Sequence, residues 1–177
     1  MEVFIIIIVV LFILLVFLYN RIIKLNIRCN NALAGIDNQL KRRNDLIPNL
    51  VEVTKGYAKY EAETLVNVVN QRSNSLSEKA KQNEEISRNV KSLLALAESY
   101  PDLKADKIFA NLQVELTGTE DKIAYARQFY NDSVQHFNTS IMVFPNNIIA
   151  SILKFKEKEY FKVSDKDKEN VSIKLWY

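Results

Sequence analysis

An unbroken apolar run from Val3 to Leu18 constrains this chain more than any other stretch. It holds 16 residues without a charge or a strong polar group and gives way to Tyr19, Asn20 and Arg21. A helix rising about 1.5 Å per residue covers roughly 24 Å over that length, somewhat less than the ~30 Å hydrocarbon layer of a bilayer. Ile22, Ile23 and Leu25 prolong the apolar character, and the stems of Arg21 and Lys24 can reach the headgroups. The run therefore predicts a transmembrane helix in contact with lipid along Val3–Ile23. A cleaved secretory signal fits the stretch less well. Glu2 is the only side-chain charge ahead of it, and no small-x-small cleavage pattern follows. Cys29, preceded by Asn26-Ile27-Arg28, lacks the apolar and small neighbours of a processed lipoprotein cysteine. Arg21, Lys24 and Arg28 follow the run and nothing basic precedes it. The positive-inside bias then predicts a single pass through the cell membrane, with the N-terminus outside and the remainder cytoplasmic.

Beyond the run lie about 155 residues, enough for one domain with a real core. Three Gly and three Pro in 177 residues argue against a turn-rich β fold and for long helices. A formal net charge of +3 is no nucleic-acid footprint, although it suits an anionic membrane surface. A single cysteine forms no internal disulfide, so the domain needs no oxidising compartment. The Asn-x-Ser/Thr triplets at Asn131, Asn138 and Asn170 are read as chance in an Asn-rich chain.

Four stripes of apolar residues follow the 3.6-residue period. The first, Ile22, Leu25, Cys29, Ala32 or Leu33, Ile36 and Leu40, continues the anchor without a breaker. Lys41-Arg42-Arg43-Asn44-Asp45 then interrupts it. Asp45 is expected to cap a second helix with Pro48 in its first turn, the alternative being one helix kinked at Pro48. The basic triplet reads as a solvated helix end that complements the helix dipole, or as a binder of phosphate or acidic surfaces. The second stripe runs from Ile47 through Leu50, Val51, Thr54, Tyr57, Ala58, Glu61 and Leu65 to Val69. A third, Ile86, Val90, Leu93, Leu94 and Ala97, stops before Tyr100-Pro101, because proline disfavours helix at the residue before it. Asp102 or Asp106 is expected to cap the fourth and longest, which runs from Phe109 through Leu116, Thr119, Ile123, Tyr130, Val134, Phe137 and Ile141 to Phe144. Gly118 within it allows a local kink. A short helical turn is expected around Ile148–Leu153. Residues 164–170 read as a solvated linker, and 171–177 alternate like a strand.

The expected architecture is all-α: an N-terminal transmembrane helix continuing into an antiparallel four-helix bundle of long helices. The anchor takes residues 1–23, the bundle 24–161 and a tail 162–177.

Catalytic chemistry has little to stand on. His136 is the lone histidine, and no nucleophile motif sits beside it. Cys29 lies on an apolar stripe, where a buried thiol is expected. No His/Cys pair, calcium loop or glycine-rich phosphate loop occurs, and the Glu-x-x-His repeats of a bundle di-iron site are absent beside Glu61, Glu115 and Glu120. No cofactor or metal is therefore expected. Polar residues on the stripes are more informative: Thr54, Glu61 and Thr119 interrupt apolar seams, and Glu120, Arg127 and Asn131 share nearly one face. They read as register-setting polar contacts or, alternatively, as a groove for a partner peptide.

Gln39-Leu-Lys-Arg-Arg-Asn-Asp-Leu-Ile-Pro-Asn-Leu-Val51, Lys55-Gly-Tyr-Ala58 with Glu61, and Ala97-Glu-Ser-Tyr-Pro-Asp-Leu-Lys-Ala105 together resemble the LemA family. So do Gly118-Thr119-Glu120, Ala126-Arg127, Tyr130-Asn131 and Phe144-Pro145, and the likeness spans about residues 19 to 161. The resemblance implies a bacterial single-pass membrane protein with a helical bundle and no ascribed enzyme activity or cofactor. Two positions depart from the family pattern: Gly35 stands where a Trp is usual, and Tyr60 where a His is frequent before Glu61.

The function expected is that of a non-enzymatic, membrane-anchored adaptor or scaffold for other envelope proteins. Arg43, Asp45, Glu61, Glu98, Tyr100, Glu120, Arg127 and Asn131 are the candidate partner-binding or core polar residues. Two alternatives remain at this point. One is a membrane-organising protein that forms homo-oligomers through coiled-coil faces. The other is a small-molecule or peptide sensor with a cavity near Gly35, Tyr57 and Gly118.

Overall fold

The computed structural model describes residues 1–55 and 75–162, which are mostly helical with no strand among them. Among the described residues five helices follow in order: α1 (Glu2–Lys55), α2 (Leu76–Ala97), α3 (Pro101–Ala105), α4 (Lys107–Met142) and α5 (Asn146–Ile152). Among the described residues, one helix, α1, is long and apolar enough to cross a membrane, and its most apolar window is almost entirely exposed. An exposed window distinguishes it from the core helix of a water-soluble protein.

The anchor and the first amphipathic stripe form one rod, as the sequence predicts, but the rod does not stop at Asp45. It runs on through Pro48 to Lys55, so Asp45 is an exposed mid-helix residue and caps nothing. Pro48 removes one N–H from the ladder, at a cost of about 3 kcal/mol in a helix interior. Against that, Ile47, Leu50 and Val51 are all buried beside it. Each such side chain gains about 1.5–3 kcal/mol on burial, so continuing the helix outweighs the proline penalty. Because α1 has no end near residue 43, the basic triplet is not a solvated helix terminus. Lys41 and Arg42 are exposed, whereas Arg43 is buried.

Proline does stop α2. Tyr100 is extended (φ −123°, ψ 92°) ahead of Pro101, which begins the five-residue α3. Asp106 then caps α4, its Oδ1 accepting the backbone N–H groups of Ile108 (2.7 Å) and Phe109 (3.1 Å). Gly118 lies within α4, which is one helix of 36 residues. The fourth stripe fails only at its last member: Phe144 lies past the end of α4 and is exposed. The short helix expected around Ile148–Leu153 is α5.

The chain divides into two compact units. One comprises residues 1–39 and 122–160. Its buried apolar positions on α1 are Leu18, Ile22, Cys29, Ala32 and Ile36, and on α4 Ile123, Tyr130, Val134, Phe137 and Ile141. Both sets are spaced by threes and fours or their sums, the period that keeps one helical face inward. Residues 153–160 form a strap across this unit. The Asn138 side chain gives a hydrogen bond to the Lys158 carbonyl and accepts one from the Lys158 N–H, both at 2.9 Å. Tyr130 Oη donates to the Glu159 carbonyl at 2.9 Å, and Phe155 meets Phe137 edge to face. Lys158 Nζ reaches Asn30 on α1 at 3.0 Å.

The other unit comprises residues 40–121 and 161–177, of which the structure describes 40–55, 75–121, 161 and 162. Its core joins Ile47, Leu50 and Val51 of α1 to Ile86, Val90, Leu93 and Ala97 of α2, with Leu103 of α3 and Phe109 and Leu116 of α4. The second stripe beyond Lys55, the linker at 164–170 and the alternating segment at 171–177 lie outside the described residues.

Candidate functional site

The most unusual side chain in the second unit is Arg43, which is 1% exposed and among the largest fully buried residues of the chain. Arginine is almost never fully buried unless its charge is met. Its position follows from spacing: residues 36, 40, 43, 47 and 50 step by threes and fours, so the stripe carries Arg43 inward with Ile47 and Leu50. Asn83 and Ser87, one turn apart on α2, face it on the same edge as Ile86 and Val90. Glu120 reaches it from α4.

Among the described residues, the contacts of the guanidinium converge on one nitrogen. Nη1 donates to Asn83 Oδ1 (2.8 Å), Ser87 Oγ (3.0 Å), Glu120 Oε1 (3.1 Å) and, weakly, the Asn83 carbonyl (3.4 Å). Ser87 Oγ in turn donates to Glu120 Oε2 at 2.8 Å, closing a triangle of Arg43, Ser87 and Glu120. A single Nη nitrogen carries two hydrogens, so its acceptors share them. Arg43 Nε is buried with no hydrogen-bond partner. Burial pushes the guanidinium below its ordinary pKa, and the charge and hydrogen bond of Glu120 oppose that. Arginine nonetheless remains a cation. Ser87 and Glu120 are both partly open to solvent, the Glu120 side chain being 30% exposed.

The remaining sequence candidates are scattered. Glu98 forms an exposed ion pair with Lys104 across α3, worth at most about 1 kcal/mol. Tyr100 is the exposed residue ahead of α3. Arg127 and Asn131 are half-buried on α4 in the first unit. Glu61 lies outside the described residues. Thr54 and Thr119, which interrupt their stripes, are buried but bond within their own helices, Thr54 Oγ1 to the Leu50 carbonyl and Thr119 Oγ1 to that of Glu115. Such back-bonding satisfies a buried hydroxyl without any partner helix. An added Cβ at Gly35 or Gly118 would meet nothing within 4 Å, and Tyr57 lies outside the described residues.

Asn83 and Ser87 were not singled out from sequence, and Asn138 entered only as an Asn-x-Thr triplet read as chance. The signal existed for the first two: at i and i+4 they extend the Ile86–Val90 edge backwards. Asn138 gave none, because its partner is backbone. Cys29 is buried, its thiol donating to the Ser133 carbonyl at 3.1 Å, and burial raises its pKa. His136 is exposed. Among the described residues no group of three or more His, Cys, Asp or Glu could hold a metal ion. The triangle can hold helices in register while leaving the Glu120 carboxylate partly exposed.

A model of the LemA family matches residues 32–175. The chain is 27% identical to Protein LemA of Metamycoplasma hominis over 147 residues, covering 80% of this chain and 67% of that protein. It is 35% identical over 69 residues to Magnetosome protein MamQ 2 of Paramagnetospirillum magneticum, and 33% identical over 69 residues to Magnetosome protein MamQ of Magnetospirillum gryphiswaldense. Each of those two matches covers 39% of this chain, which spans about a quarter (25%) of the length of the magnetosome relatives. None of these names denotes an enzyme.

Proposed function

The chain belongs to the LemA family, and from that membership and its apolar first helix we propose that it is a membrane-anchored, non-enzymatic adaptor. It would cross the membrane once, N-terminus outside, and hold its helical portion in the cytoplasm for other envelope proteins to bind. The observation that carries this reading is the continuity of α1 from the apolar stretch to Lys55. A helix without an interruption gives a domain no free swivel at the bilayer, and a fixed presentation is what an adaptor requires. The basic residues Arg21, Lys24 and Arg28 on one side of the run support the orientation.

In this reading the helical portion acts as an antiparallel bundle. Its described long rods are α1, α2 and α4, and the second rod expected from sequence begins as a direct continuation of the first. Glu120, with its exposed edge, and the basic pair Lys41 and Arg42 are the polar features such a partner would meet.

Proximity labelling in the native cell, with the labelling enzyme fused to the C-terminus, tests the proposal. A reproducible set of envelope proteins labelled from the cytoplasmic side is the expected result. Labelling no richer than that of the same enzyme fused to α1 alone would overturn the adaptor role. Labelling confined to the outer side would overturn the orientation.

A further inference from the structure

In the first unit, the link between α4 and α5 places far more apolar surface in the open than a soluble turn tolerates. Met142, Val143, Phe144, Ile148, Ile152 and Leu153 are all exposed, Phe144 by 78% and Ile152 by 73%. Ile149 and Ala150 face inward and are buried. Exposed apolar residues scattered singly are ordinary, but a contiguous patch marks a surface that something covers.

The neighbourhood identifies the cover. Ile149, Ile152 and Leu153 line an open recess of about 260 Å³ together with Leu15, Val16 and Tyr19 of α1. Leu15 and Val16 belong to the apolar run itself. A hydrocarbon layer of ~30 Å that begins at Val3 extends about 20 residues along a helix, to the vicinity of Ile22. Leu15 and Tyr19 then lie roughly 4–10 Å inside its boundary. α5 sits beside them and cannot be in bulk water if α1 spans. That depth matches the ~5–10 Å at which interfacial helices bury their apolar face. Lys154 and Lys156 follow α5 at once, and Arg21 and Lys24 follow the run on α1. Cations at both places suit anionic headgroups at the edge of the layer.

We propose that residues 142–153 form a second membrane contact, with Phe144, Ile148 and Ile152 among the lipid acyl chains and Lys154 and Lys156 at the headgroups. The domain is thereby seated on the bilayer at two points. This inference rests on the membrane-spanning reading of α1, and its test keeps the two apart.

The full-length chain carrying Cys29→Ala receives one new cysteine at a time: Phe144→Cys, Ile148→Cys, Ile152→Cys, Val10→Cys in the run, or Tyr125→Cys on the exposed face of α4. Each is labelled with an environment-sensitive fluorophore and reconstituted in phosphatidylcholine–phosphatidylglycerol vesicles whose acyl chains carry bromine near the carbonyl end. The expected result is loss of most of the emission at positions 144, 148 and 152 as well as 10, with position 125 unaffected. Quenching at position 10 but not at 144, 148 and 152 would overturn the second contact and leave the anchor standing. Labels at those three positions that are unquenched by bromolipid yet shielded from aqueous iodide would show a protein cover, a second copy included, and also overturn it. No quenching at position 10 would remove the anchor and this inference together.

Discussion

The Arg43 triangle yields a ranking of substitutions that departs from ordinary expectation. Arg43→Met removes the buried charge, leaving Asn83 and Ser87 without their donor and Glu120 without its counter-ion. Breaking a buried pair costs about 3–5 kcal/mol. The abandoned partner is 30% exposed and can recover water, which places this variant near the lower limit. Glu120→Gln leaves the opposite partner stranded, a guanidinium at 1% exposure with only neutral acceptors among the described residues, and should sit nearer the upper limit. Arg43→Lys is the diagnostic change. Lysine is a poor substitute where arginine uses its whole fork, but here the bonds to the described residues come from Nη1 while Nε is buried and unpaired. One ammonium has three hydrogens for the three strong acceptors, so Arg43→Lys should lose no more than about 1 kcal/mol. Thermal unfolding of the full chain in detergent, followed by far-ultraviolet circular dichroism, reads the difference. At roughly 2–4 °C per kcal/mol for a chain of this size, Arg43→Met falls by about 6–12 °C and Arg43→Lys by less than about 4 °C. Equal losses for Met and Lys would refute the single-nitrogen argument. A Glu120→Gln protein melting within about 2 °C of the parent would refute the claim that the charge is stranded.

Three further predictions concern the first unit. Asn138→Ala removes both bonds to the Lys158 backbone and should cost about 1–3 kcal/mol, with faster amide exchange confined to residues 155–160 as the check. Lys154 holds a left-handed backbone (φ 56°) directly after α5. The Lys154 and Phe155 N–H groups bond to the Ser151 and Ala150 carbonyls there, the pairing that usually selects glycine. Lys154→Gly should therefore stabilise by up to about 1 kcal/mol, read as a raised melting temperature. Burial raises the pKa of Cys29 and of Tyr130 above their unfolded values. Their contribution is intact below the unfolded pKa. It is lost as pH rises toward the folded pKa, since only the unfolded chain then releases the protons. Stability should fall above about pH 9, and Tyr130→Phe should flatten the most alkaline part of that decline.

Much of the helical framework was legible because helix faces announce themselves by period. Ile22, Cys29 and Ile36 are buried on α1, as are Leu116, Ile123, Tyr130 and Val134 on α4, at the positions their spacing dictates. Tyr100-Pro101 and Asp106 marked their boundaries because those signals act within a turn of themselves. Pro48 misled for the complementary reason. Its local penalty is plain in sequence, while the core contacts of Ile47, Leu50 and Val51 that outweigh it come from α2, α3 and α4. Arg43 was hidden inside a basic triplet whose other members are exposed, and only its alignment with Ile36 and Ile47 distinguishes it. Phe144 kept the stripe's rhythm, but α4 had ended two residues earlier, so the rhythm no longer had a helix to act through. The triangle itself needs three separate segments, and no single-stretch pattern encodes such a meeting.

The manner in which the strap is held has a consequence for how this region can vary. Asn138 and Tyr130 grip peptide groups of residues 158 and 159, not their side chains. Main-chain atoms are the same whatever amino acid carries them. Substitutions at Glu159 can therefore accumulate without loosening the grip, while the two gripping side chains tolerate almost none. A homologue could thus recolour the outer edge of this unit, in charge and in shape, and keep the same fastening beneath.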